Sequence, residues 1–168
     1  SSIAIQRYND AILKPEVTES RLSFAIMALE AMYLKEAERE ELEHRLSQRV
    51  AKLLSFYRHK PLEVYNTLKR SYDIRSSFVH GSPILKEKLQ EVSKLLEKVV
   101  EYVRLSIILF LQLKSKHEKD SFLSLIDNSL LSKEAFEKLA KTLKDNCTLY
   151  QDLFSDKSSC EQTNSSGS

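Results

Sequence analysis

The sequence predicts an all-α protein, an up-and-down helical bundle of about five to seven helices with one long central helix. Three observations lead there. Only two glycines and three prolines occur in 168 residues, too few for the turns that an all-β fold needs. Leu, Lys, Glu and Ala are abundant, and apolar residues recur at spacings of three and four rather than two. The length is that of one domain and is enough to bury a core. Residues 1–155 are expected to form this domain; 156–168, which lack apolar residues, are expected to be a disordered tail or a vector-derived remnant. The chain begins Ser1-Ser2 without a methionine, which suggests a piece of a longer protein.

Residues 3–13 read as a short amphipathic helix that stops before Pro15. Thr18 is the expected N-cap of the second helix, with Arg21 at the capping-box position, and Leu22, Ala25, Ile26, Leu29, Met32 and Tyr33 form its core stripe. Glu30 is the anomaly among Met27, Ala28, Ala31 and Leu34. It reads as a helix-surface charge, with a buried partner for Arg49 or Arg75 as the alternative. The third helix, 39–57, opens with acids and closes with bases, as its macrodipole prefers, and Leu42, Leu46, Val50, Leu53, Leu54 and Tyr57 supply its stripe.

The fourth helix starts at Pro61, a residue suited to a first helical position, and Gly81-Ser82-Pro83 stops it. At 100° per residue, Leu62, Tyr65, Leu68, Tyr72 and Val79 share one face, read as the domain core. Ile74 and Phe78 then point away from it toward a second surface, either a partner subunit or the fifth helix. Residues 84–113 read as one long helix with its stripe at Leu85, Leu89, Val92, Leu95, Leu96, Val99, Val103 and Ile107. Its last third is apolar almost all round and should be the most buried segment, yet it is shorter than the roughly 20 residues that span a bilayer. Helices near 118–128 and 132–146 follow, the second with Ser132 at its start and Glu134 in its first turn.

No glycine-rich phosphate loop, paired acid dyad or cluster of metal-ligand type appears, so neither a cofactor nor a metal is expected. His44 and His59 each lack a second ligand four residues on and read as solvent-facing. Cys147 and Cys160 read as free thiols, and with no signal peptide in view the expected compartment is the cytoplasm.

Chemistry concentrates in Tyr72-Asp73-Ile74-Arg75-Ser76-Ser77-Phe78-Val79-His80-Gly81. A histidine titrating near neutrality and a permanently charged arginine can move a proton at a phosphodiester and hold its charge. With nine Arg and four His in the chain, roughly 0.2 such pairs arise by chance at any one spacing, so the bare motif is weak. A second copy, Arg39-Glu-Glu-Leu-Glu-His44, lies among acids and reads as solvated helix surface. The setting favours the first. Residues 58–88 hold seven Lys/Arg (Arg58, Lys60, Lys69, Arg70, Arg75, Lys86, Lys88) against Glu63, Asp73 and Glu87, whereas the whole chain carries a net charge of +2. Lys69, Arg70, Lys86 and Lys88 are the expected RNA-binding residues. Arg75 and His80, five apart, lie about 140° apart on an ideal helix. The arginine reaches around, the helix unwinds before Gly81, or a symmetry mate completes the pair. Tyr72, Ser76 and His80 are spaced by four, so a hydroxyl can orient the imidazole.

The string Tyr72 to Gly81 resembles the signature of the HEPN superfamily, and particularly its Apea-like branch, in which a tyrosine precedes an Arg-x4-His motif closed by glycine. Phe24-Ala-Ile-Met-Ala-Leu-Glu30 and Arg49-Val-Ala-Lys-Leu-Leu54 are similar to the helices before the motif in that branch, so the likeness covers residues 20–113. It implies a helical, usually dimeric domain, often a metal-independent ribonuclease with a composite site at the dimer interface. The residue after the arginine is Ser76, where many active members carry Asn, Asp or His. By this resemblance, RNA is cleaved by attack of the 2′-hydroxyl on the adjacent phosphate, in bacterial defence or RNA processing. His80 would be the acid or base, Arg75 would stabilise the phosphorane, and Ser76 or Tyr72 would orient the histidine. The alternative is a non-catalytic homodimerisation or RNA-binding module of a larger protein, in which His80 caps the helix and Arg75 pairs with Glu30 or Asp73. No membrane partner is expected.

Overall fold

The computed structural model describes residues 2–13, 17–79 and 86–148, with the side chains of 79 and 86–89 excepted. Pro15, His80, the Gly81–Pro83 stop, Cys160 and the 156–168 tail lie outside these, as do the side chains of Val79, Lys86 and Lys88. Among the described residues there is no strand, and seven α-helices form an all-α bundle: α1 Ser2–Leu13, α2 Thr18–Tyr33, α3 Leu42–Leu54, α4 Pro61–Val79, α5 Lys86–Leu113, α6 Lys119–Asn128 and α7 Lys133–Asn146. A single 3-10 turn, Ser55–Tyr57, extends α3.

Helix α2 organises the body because every apolar residue of its expected stripe is buried; it packs on α1, α3, α4 and α5. A buried Tyr33 hydroxyl and Ser106 Oγ, 2.8 Å apart, tie it to α5, satisfying two polar groups that would otherwise be costly in a core. Thr18 is not the cap of α2. Val17 holds that position with no side-chain cap bond, and Arg21 instead donates to the Ala11 carbonyl at 2.7 Å, binding the end of α1. Helix α3 starts three residues later than expected because Glu41 is left-handed, with φ 53°. Ser132 caps α7, its Oγ accepting from the Ala135 N–H, as the sequence suggests.

Helix α4 presents a face turned from the expected one: Leu68 is buried and Tyr65 and Tyr72 are half-buried against the core, but the centre of the stripe has moved. Leu62 is 71% exposed, while Val64, Thr67, Leu68, Ser71 and Ile74 are all buried and form one continuous stripe at helical spacing. The small polar residues can lie inward because their hydroxyls are satisfied: Ser71 Oγ donates to the Thr67 carbonyl one turn back at 2.7 Å, and the Thr67 side chain bonds Tyr102 of α5. Ile74, expected at a second surface, is therefore part of the chain's own core at 6% exposure, and only Phe78 of that pair, at 37%, faces outward. Helix α5 is central, touching α1, α2, α3 and α4, but is not buried all round: Arg104, Ile108 and Leu111 are exposed on one side. Helices α6 and α7 pair with each other and reach the body through α3.

Candidate functional site

The described part of the Arg-x4-His segment lies in the last turns of α4, against α2. Arg75 Nη1 donates to Glu30 Oε1 at 2.6 Å, and the Tyr72 hydroxyl donates to the same oxygen at 2.7 Å. The guanidinium sits 5.7 Å from the Tyr72 ring centroid. Glu30 is thus no plain surface charge: it is the partner of Arg75, the alternative its apolar neighbours left open. Arg75 keeps 26% of its side-chain surface in contact with solvent, and one nitrogen carries its bond to Glu30. A guanidinium has five donors, so this geometry fixes its plane while leaving an edge for an anion. Burial, and then the negative charge of Glu30, push the Tyr72 phenol above the ordinary tyrosine value. It stays protonated with its proton committed to Glu30, so Tyr72 can meet an imidazole only as an acceptor. Ser76 is exposed.

Of the flanking bases, Lys69 and Arg70 are each compensated by a carboxylate. Arg70 binds Glu91 of α5 through two bonds, at 2.7 and 3.2 Å, and Lys69 Nζ lies 4.0 Å from Glu43 of α3. Counting charge along residues 58–88 misses Glu30, Glu43 and Glu91, which three other helices bring to the same surface. These outer pairs are exposed, and such pairs are worth about 0–1 kcal/mol, so a phosphate can displace the carboxylates.

The second Arg-x4-His copy is not a helical pair. Arg39 lies in the α2–α3 loop, donating to the carbonyls of Glu36 and Glu38. His44 is exposed as expected, but its Nδ1 is 2.9 Å from the Tyr65 hydroxyl of α4. His59 is half-buried rather than solvent-facing, with its ring edge-on to Tyr102 at 5.4 Å.

Comparison with protein-family models, curated proteins and solved structures gives no match. The site's own chemistry therefore carries its interpretation.

Arg49 illustrates the contrast with Arg75. It is 1% exposed, and all five of its N–H donors are used: Nε and Nη2 on Asp127 at 2.7 and 2.8 Å, Nη1 and Nη2 on Glu38 at 2.9 and 2.6 Å, and Nη1 also on the Tyr33 carbonyl at 2.6 Å. Nothing is left for a ligand. The Arg49 bonds hold the Glu38 carboxyl at about 2, against the opposing effect of burial. This network was missed in the sequence because its members are 11 and 78 residues from Arg49. Cys147 is buried, which pushes its thiol up and makes it a poor nucleophile. Among the described residues no three His, Cys, Asp or Glu side chains converge as metal ligands, and no helix is long and apolar enough to cross a membrane.

Proposed function

We propose that the chain is a HEPN-type, metal-independent endoribonuclease domain that works as a homodimer on RNA in the cytoplasm. The observation that carries this reading is Arg75, held in plane by Glu30 and Tyr72 yet partly exposed at the end of α4. In the proposed reaction the 2′-hydroxyl attacks the adjacent phosphorus as its proton passes to a base, and the 5′-oxygen leaves with a proton from an acid. His80 serves in this acid–base exchange by resemblance, and Arg75 compensates the extra negative charge on the phosphorane. Ser76 takes the orienting role in this reading, since the Tyr72 proton is committed to Glu30. Lys69 and Arg70, with Lys86 and Lys88, steer the RNA backbone after exchanging carboxylates for phosphates.

His80→Ala and Arg75→Ala should each abolish cleavage of single-stranded RNA with the melting temperature nearly unchanged, and the activity should persist in EDTA. Activity lost in chelator would sink the mechanism.

The second reading, a non-catalytic dimerisation or RNA-binding module within a larger protein, is favoured by the carboxylates of Glu30, Glu43 and Glu91 on the three bases of α4. It predicts no nuclease activity in the purified chain and a loss of stability in Arg75→Ala.

A further inference from the structure

A cavity of about 160 Å³ opens between α1, α2, the C-terminal end of α5 and the start of α6, formed by residues with no part in the α4 site. Its walls are apolar, Ile5, Met32, Ile107, Phe110 and Phe122 among them, and among the described residues its polar side chains are all basic, Lys114, His117 and Lys119, with no carboxylate in the lining. We infer that this cavity binds a small amphipathic carboxylate, with an aromatic ring or short alkyl stem among the apolar walls and the anionic head at Lys119 and His117.

Size, charge and geometry each support the assignment. A cavity of about 150 Å³ accepts a benzene-sized guest, so this one has room for a phenyl ring or a short chain and is too small for a nucleotide. Lys114 and His117 lie in the turn joining α5 to α6 and Lys119 opens α6; the His117 and Lys116 N–H groups both bond the Leu113 carbonyl at 3.0 Å and fix the turn. The His117 ring leans on Phe122 at 6.5 Å, so the imidazole stands at the cavity wall. Lys119 is half-buried and gives one donor to the Ala31 carbonyl at 2.8 Å, which orients the other two. Burial lowers the Lys119 pKa; Asp120, Glu36 and Glu38 oppose that shift, and Arg49 adds to it. A group whose charge is penalised in this way gains from an anion beside it. One ammonium edge above apolar walls suits a monoanion on an apolar stem better than a polyanion.

The test is an amide-resolved NMR titration of the whole chain with 3-phenylpropionate, and with 3-phenylpropanamide as its uncharged twin. Saturable binding with a Kd on the order of 1 mM or tighter is expected. The shifts should be confined to α1, Met32 and residues 107–122, and the amide should bind at least about tenfold more weakly. Lys119→Met should cost about tenfold in affinity for the carboxylate. Should that variant fail to fold, Leu111→Glu, at an exposed position on the rim, sets a like charge at the mouth and should abolish binding. Failure to saturate, equal binding of acid and amide, or unchanged affinity in Leu111→Glu would overturn the proposal. So would shifts at these residues that follow protein concentration instead of probe, which would mean that a second copy covers this face.

Discussion

Arg49 and Arg75 show how one residue type is put to two uses. Arg49 is saturated by two carboxylates and a carbonyl; Arg75 is held by one oxygen and partly open. Removing Arg49 strands Glu38 and Asp127 together, so Arg49→Ala should cost about 3–5 kcal/mol, read as a lowered denaturation midpoint. The same pair sets an acid limit. Glu38 has a folded pKa of about 2 against an ordinary value of 4.5, so its contribution is complete above about pH 4.5 and is lost as the pH falls toward 2. That contribution is about 3 kcal/mol. Stability measured against pH should therefore fall across this window in the native chain and stay flatter in Arg49→Ala. Equal slopes would show that Glu38 is not paired in solution.

Helix α4 is the element whose reading changed most, and it yields a sharp comparison. Ile74→Ala should destabilise by about 2–4 kcal/mol, the range for a buried aliphatic truncation, and leave the oligomeric state alone. Phe78→Glu should do the reverse, barely touching stability and dissociating the proposed dimer in light scattering. Ser132→Ala should cost about 1 kcal/mol through its lost cap bond at α7, measured by denaturant unfolding. Helix α2 was legible in the sequence because its core stripe from Leu22 to Tyr33 is apolar and spaced by three and four. Helix α4 was not, because Thr67 and Ser71 occupy its buried stripe and count as polar until their bonds are known. Glu30 was half legible: its apolar neighbours marked it as unusual, but the choice between Arg49 and Arg75 depended on how α2 crosses the other helices.

At the scale of the whole molecule, a net charge of +2 supplies little general attraction for RNA, so binding must come from local exchange at α4. Replacing Glu43 and Glu91 with Gln should release Lys69 and Arg70. RNA affinity should rise, and the log–log salt dependence should steepen by about 0.7 for each phosphate newly neutralised, measured by binding across a salt series. An unchanged slope would mean that these bases do not meet the backbone. The α6–α7 pair has a separate consequence. It joins the body through α3, the Arg49–Asp127 bonds, Lys35 on Ser124, Lys119 on the Ala31 carbonyl and the edge of Phe122 on Phe110 of α5, so fewer helices brace it than brace α2 or α5. Such an attachment releases as a unit. Amide protons in α6 and α7 should exchange with deuterium through a shared partial opening, well before those of α2 and α5. Arg49→Ala should speed that exchange selectively, so that a residue sealed from solvent governs how long the last two helices stay docked.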